Sequence, residues 1–372
     1  EWNNYSESLQ TANMTSDIYF DVMGNHDTYA DPGYTWFQNS SMQKVPYYDF
    51  VKQYSFGKYH FIGLHTPENL GAKYPFSLFG YLSKSELDWY ETRLQSVRDA
   101  RVTVAFGHHP AYEMFQGGIR FNQLNRKYGV DLYLVGHGHM DTYEDLESGT
   151  VSYMTPKLSN REKSYRIVAI QGNIISESIQ TYNQWPIGVI CSPVDHKNVY
   201  SDFNIEKLQS PSKIRALAFD NESISKVEWR SLDASEEWKP MTNSYGPLYE
   251  AEWDPILNDG KIHSIQVKIT NNRGMEKIEK IEFCSQKVEH FGWKYGLRLI
   301  LFGVIGLFSV PSIVIAKKRW IEPGKYRKSE DKKVDTTLKK NMLIRLAIIL
   351  FVPLTFAEIW PRKWAAVFGL FY

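Results

Sequence analysis

The sequence predicts an α/β head of layered, covered sheets, then an immunoglobulin-like β-sandwich, then transmembrane helices at the C-terminus. Three observations carry this. Long apolar strands alternate with helical stretches over residues 1–185, short strands split by tight turns fill residues 186–288, and residues 289–372 hold long runs without charge. At 372 residues the chain is too long for one ordinary domain. Its 43% hydrophobic and 23% charged residues mark a globular chain rather than a disordered one. A formal net charge of +1 argues against nucleic acid as the main partner, because phosphate binding needs clustered cations.

In the head, "DIYFDVM" reads as a buried strand ending at Gly24, and "KYHFIGLHT" as another strand. "SKSELDWYETRLQSV" reads as a helix with a capping box from Ser83 to Glu86 and an apolar stripe at Leu87, Tyr90, Leu94 and Val97. "RVTVAF" is a strand that runs straight into "GHHP". "IRFNQLNRKYG" is a short helix that Gly129 caps, and "DLYLV" is a strand that runs straight into "GHGH". Apolar strands separated by helices imply sheets covered on both faces.

The second unit changes character. "IGVICSPV", "IRALAF", "ISKVEWRSL", "YEAEW", "IHSIQVKIT" and "KIEKIEFC" are short strands broken by "NDGK" and "NNRG" turns, the pattern and length of an immunoglobulin-like sandwich. It contains no cluster of catalytic residue types. The two cysteines, Cys191 and Cys284, fall in its first and last strands and are either a disulfide or two buried thiols. Two cysteines cannot make a cysteine-ligated zinc site.

Beyond the sandwich, no charge occurs from Leu299 to Ala316, 18 residues that match the thickness of a bilayer's hydrocarbon core. A second apolar segment, "MLIRLAIILFVPLTFAEIW", is interrupted by Arg345 and Glu358, and Trp360 and Trp364 suit an interfacial belt. The expected spans are about 297–316 and 343–361, with a third apolar segment starting over 364–372. Between the spans, residues 317–340 carry ten Lys and Arg against four acids, a bias that marks the cytosolic side of a lipid bilayer. The head is then lumenal or extracellular. Four Asn-x-Ser/Thr triplets, at Asn4, Asn13, Asn39 and Asn221, all lie in that part and are candidate glycosylation sites.

Chemistry concentrates in three loops. Each comes after a predicted strand and is rich in nitrogen: Asn25-His26-Asp27, His108-His109 and His137-Gly138-His139, which together take five of the ten histidines. Ligands of open α/β sheets sit at such strand ends. Imidazoles two residues apart in a loop need a shared target, and a metal ion is the natural one.

The three loops, "GNHD", "GHHP" and "GHGH" in that order, resemble the signature of calcineurin-like metallophosphoesterases, which include purple acid phosphatases. "HFIGLHT" and "LDWYETRL" are similar to segments found between those motifs. The resemblance implies a site for two metal ions (manganese, zinc or iron) and hydrolysis of phosphomonoesters or phosphodiesters by metal-activated water. It implies Asn25, His108 and His137 as ligands of the second ion and His139 as a ligand of the first. His26 is similar to the histidine that acts at the leaving group, as general acid or charge stabiliser. Asp27 is expected to orient its loop. His109 has no role in the family and is expected to be exposed or to stand behind the ligands. His60 and His65 are expected in core or rim. "YEMFQGGIR" offers Tyr112 or Arg120 to grip a phosphate, or is simply a solvated loop.

One departure matters. The family also has an Asp-x-His and a Gly-Asp motif upstream, which supply ligands of the first ion and the carboxylate that bridges both, and this sequence contains neither. The expectation is a fragment lacking those motifs and inactive by itself. The alternative is a membrane-anchored binding or assembly subunit that does no catalysis.

Overall fold

The computed structural model describes residues 2–29, 31, 33–67, 76–146, 148–158, 163–198, 212–233, 237–253 and 261–284. The spans expected at 297–316 and 343–361, the apolar segment 364–372 and the basic loop 317–340 all lie outside the described residues. Among the described residues no helix is long and apolar enough to cross a membrane.

The head comprises α1 (Trp2–Thr11), α2 (Thr35–Ser40), β1 (Tyr48–Tyr54), β2 (Gly57–Gly63), β3 (Gly80–Tyr81), α3 (Lys84–Ser96), β4 (Val102–Phe106), β5 (Met114–Gln116), α4 (Gly118–Tyr128), β6 (Leu132–Val135), β7 (Thr142–Asp145), β8 (Val151–Met154), β9 (Ser164–Gln171) and β10 (Ile174–Thr181). Six strands make one mixed sheet in the order β1-β2-β4-β6-β8-β7. Strands β2, β4, β6 and β8 are parallel, and β1 and β7 close the edges antiparallel.

Both faces of this sheet are covered, which is why its strands read as continuous apolar runs. Alternation sorts the side chains. Ala105, Tyr133 and Val135 pack with Leu87, Tyr90 and Leu94 of α3 and with Phe121 and Leu124 of α4. Val102, Val104, Leu132 and Tyr153 face the other way, against Val168, Ile170 and Ile175 of the β9–β10 hairpin. Helix α3 starts where Ser83 accepts a hydrogen bond from the Glu86 N–H, and α4 stops at Gly129, whose φ of 66° is the left-handed conformation glycine tolerates.

The capping box is only half formed. The Glu86 side chain turns inward and accepts from the His65 N–H at 2.8 Å rather than reaching back to Ser83. A second difference concerns "DIYFDVM", which begins in a turn at Asp17 and Ile18 and joins no sheet among the described residues. Side chains rather than a ladder take its carbonyls: Lys52 donates to Asp17 O, Gln43 to Tyr19 O and Tyr48 to Asp21 O. Phe20 stacks on Phe50 at 3.7 Å, while Ile18 stays exposed.

After the head come β11 (Ile187–Ser192), β12 (Ser212–Phe219), β13 (Ile224–Ser231), β14 (Lys239–Pro240), β15 (Thr242–Tyr245), β16 (Leu248–Trp253), β17 (His263–Asn271) and β18 (Glu276–Phe283). They form two antiparallel sheets, β11-β12-β16-β15 and β14-β13-β17-β18, on one shared core that includes Ile214, Val227, Trp229, Trp253, Ile265, Val267 and Phe283. Period-2 burial along β17 shows the alternation a half-covered sheet needs. Strands β14 and β15 are short and polar, and the sequence pattern misses them.

Cys191 and Cys284 are both free and buried, so no bridge joins them here. Strand β11 carries Cys191 on one sheet, while Cys284 comes just after β18 on the other. Burial pushes the Cys191 thiol up to about 11, which leaves it protonated and inert at neutral pH. The four sequon asparagines, Asn4, Asn13, Asn39 and Asn221, are all exposed.

Candidate metal centre

The parallel register sets Gly63, Phe106, Leu134 and Tyr153 in one row, so the loops after β2, β4 and β6 leave the sheet side by side. Hydrogen bonding continues beyond the strands: Leu64 N donates to Phe106 O, Gly107 N to Leu134 O and Gly136 N to His108 O. His137 and His139 both take left-handed φ values, 62° and 56°. Such a residue costs roughly 1–2 kcal/mol relative to ordinary backbone, and two within one turn are the strain that functional loops carry. Gly138 between them cannot be replaced freely, because a Cβ there would lie 2.5 Å from Met154 Sδ.

Three side chains from three loops converge. His108 Nε2 lies 2.9 Å from Asn25 Oδ1 and 3.1 Å from His137 Nδ1. Asn25 is buried, and its amide N–H donates to the Ser77 carbonyl at 2.9 Å, which turns its oxygen toward His108. Tetrahedral metal–nitrogen bonds of about 2.1 Å would hold donor atoms about 3.4 Å apart, so these atoms need to part by only a few tenths of an ångström to admit an ion. Ring nitrogens of His108, His109 and His137 all lie within 4.8 Å of one another.

The electrostatics suit ligation. Burial first, then the neighbouring imidazoles, pushes His108 down to about 2 and His109 down to about 3. His137 is lowered by burial and by His139, and His139 by burial and by Lys157. Neutral imidazole is the form that binds a metal, and these rings are held in it.

The remaining predicted residues have varied placements. His139 and His26 are exposed at the rim, His26 with its ring 4.8 Å from that of Tyr29. Asp27 accepts from the Gly24 N–H at 2.8 Å and so closes its own loop. His109 is fully buried, which removes the exposed alternative: it lies past the end of β4 beneath the 3-10 turn Phe76–Leu78 instead of facing water. His60 is core, 2.9 Å from Asp49, and His65 is buried beside Tyr34. Arg120 is held by Asp88 and Glu91 on the helical surface and does not serve the site. Tyr112 is exposed.

Sequence reasoning missed the groups that support these side chains. The turn Phe76–Leu78 presents two carbonyls: Ser77 O receives the Asn25 amide, and Leu78 O accepts from the His137 ring. Tyr133, fully buried, donates to His109 O at 2.8 Å. Glu113 brings Oε2 to 3.5 Å from His137 Nε2, and burial, with Glu144 as the second cause, pushes its carboxyl up to about 7. Its place three residues beyond the His-Pro step was the only sequence signal for it.

The chain is similar in part to known proteins. Residues 1–141 match the model of the calcineurin-like phosphoesterase family. Over 316 residues the chain is 24% identical to transmembrane protein 62 of Mus musculus, the match covering 78% of this chain and 46% of that protein. The chain thus spans about half the length of that curated relative. Among solved structures it is similar to a dimetal phosphatase from Danio rerio, with a TM-score of 0.35 and 13% identity over 43% of this chain and 68% of that one. It is also similar to the sulfane dehydrogenase SoxCD of Paracoccus pantotrophus, with a TM-score of 0.23 and 16% identity over 37% of this chain and 40% of that one. Over residues 1–141, on its sequence match and its ordered loops, this chain is similar to the calcineurin-like phosphoesterase family.

Proposed function

We propose that this chain is part of a membrane-anchored, metal-dependent phosphoesterase, in which Asn25, His108 and His137 hold one ion, His139 offers a ligand to a second, and His26 acts at the leaving group. The observation that carries the reading is the meeting of Asn25 Oδ1, His108 Nε2 and His137 Nδ1 at 2.9 and 3.1 Å. When bound, divalent or trivalent ions in such a site lower the pKa of water and offset charge on phosphoryl oxygens. The chain's own residues do the rest. The Ser77 and Leu78 carbonyls orient Asn25 and His137, and the buried loop keeps the imidazoles neutral. His26, which is exposed, would deliver a proton to a departing alkoxide.

Activity is assigned to the whole protein. Its hydrolysis of an aryl phosphate and of an aryl phosphodiester, with manganese, zinc and iron supplied in turn, should fall by at least about 100-fold in His137→Ala and in His26→Ala. Glu113 reaches His137 at 3.5 Å, but among the described residues no carboxylate shares the close grouping of the three imidazoles. That favours a second reading, a binding or assembly subunit, which metal uptake without hydrolysis of either ester would establish.

Anchoring rests on the uncharged run Leu299–Ala316 and on the similarity to a protein named for its transmembrane character. We place residues 317–340 in the cytosol and the head, with its exposed sequons, on the far side. Protease added outside sealed vesicles should spare the head and cut the basic loop. A head digested while the vesicles stay intact reverses the topology.

A further inference from the structure

His109 sits among the candidate ligands, yet both of its ring nitrogens are already committed. Nδ1 lies 3.0 Å from Thr66 Oγ1, and Nε2 lies 3.3 Å from the Ser77 carbonyl oxygen. Thr66 Oγ1 also accepts from two backbone N–H groups, those of His108 at 3.2 Å and His109 at 3.0 Å. A hydroxyl has two lone pairs and one proton. With both lone pairs taken, the hydroxyl proton is left for His109 Nδ1, which favours a bare Nδ1. A neutral imidazole bare at Nδ1 carries its proton on Nε2. The atom facing Nε2 is a carbonyl oxygen, which can only accept, so both contacts favour the same tautomer, with the Thr66 carbonyl as a further acceptor beside the ring.

The chain of contacts runs on to the proposed ion. Ser77 O also receives the Asn25 amide N–H at 2.9 Å, which leaves Asn25 Oδ1 facing His108 Nε2. Thr66, His109 and Asn25 are 0–4% exposed, so no water competes for these bonds. We propose that His109 is a positioning residue and not a ligand: Thr66 and His109, acting through the Ser77 carbonyl, fix the direction of the Asn25 oxygen and hold the loop from which His108 projects. The role toward metal rests on the function proposed above, whereas the tautomer does not. His109 could lend a lone pair to an ion only by giving up Thr66.

The test uses the full chain with ¹⁵N-labelled histidine, first metal-free and then with one equivalent of zinc. The His109 signals, assigned by their loss in His109→Gln, should show a protonated Nε2 and a bare Nδ1, and zinc should leave them in place while two other imidazoles shift. Zinc affinity, by chelator competition, should fall about 10–100-fold in Thr66→Val and stay within about 3-fold of wild type in Thr66→Ser. His109→Gln keeps a donor for Ser77 O and should retain more affinity than His109→Ala. A proton on Nδ1, a metal-bound shift at His109 on zinc addition, or unchanged affinity in Thr66→Val overturns the proposal. A wild-type chain that takes up no zinc defeats the metal reading instead. The metal-free spectra then decide: a tautomer lost in Thr66→Val and kept in Thr66→Ser supports the assignment, and one indifferent to both overturns it.

Discussion

Replacing His137 by glycine is expected to lower zinc affinity by at least about 100-fold while changing stability by no more than about 1 kcal/mol. The two effects separate because of the backbone. His137 has φ 62°, where a side chain is strained and glycine is not, so the substitution relieves strain as it adds unfolded-state entropy. What is lost is Nδ1, one of the two atoms 3.1 Å or closer to His108 Nε2. Removing a direct ligand should exceed the 10–100-fold typical of losing a supporting contact. His108→Ala should weaken binding as much but also loosen the loop, since it deletes the common neighbour of Asn25 and His137. Chelator competition and thermal melting on the same samples check both halves. Affinity in His137→Gly within a few-fold of wild type would remove His137 from the ligand set.

The second large effect concerns Glu86, which is 1% exposed in helix α3 and accepts from a backbone N–H rather than from a basic side chain. Burial pushes its carboxyl up to about 8 from an ordinary 4.5, with the His65 N–H acting the other way. The sign is set by which state holds the proton. Below about pH 4.5 both states are protonated and Glu86 adds no pH dependence. Between about 4.5 and 8 the unfolded chain ionises while the folded one does not, so stability falls as pH rises, by up to about 1.4 kcal/mol per unit. Above about 8 the loss is complete. Glu86→Gln keeps an acceptor for His65 N–H and removes the titration. Its advantage over wild type should be near zero at pH 4 and grow to about 5 kcal/mol by pH 9. Melting curves across that range give the answer, and a gap that does not widen with pH would show that Glu86 is ionised in the folded state.

The site was legible in the sequence as far as residue type and position carry the information. Parallel strands deliver their C-terminal loops to one sheet edge, so "GHHP" after β4 and "GHGH" after β6 had to be neighbours. Helix α3 was readable because Leu87, Tyr90 and Leu94 repeat at helical spacing, and α4 because Gly129 marks its end. Backbone carbonyls have no residue signature, and for that reason Ser77 and Leu78 could not be found. Two adjacent histidines in an extended loop point to opposite sides, and nothing in "GHHP" says that His109 goes inward to Thr66. Glu86 fitted a surface capping box equally well; only its bond to the His65 N–H explains why it turns in. "DIYFDVM" has strand composition, but composition does not supply the neighbour a ladder needs.

The central claim is that Asn25, His108 and His137 hold one ion between them. A crystal structure of the chain grown with zinc, read through its anomalous difference map, tests it most directly. The account predicts a peak touching Asn25 Oδ1, His108 Nε2 and His137 Nδ1, with the His109 ring still on Thr66 and Ser77; a peak bound to His109, or none at this strand edge, would contradict it.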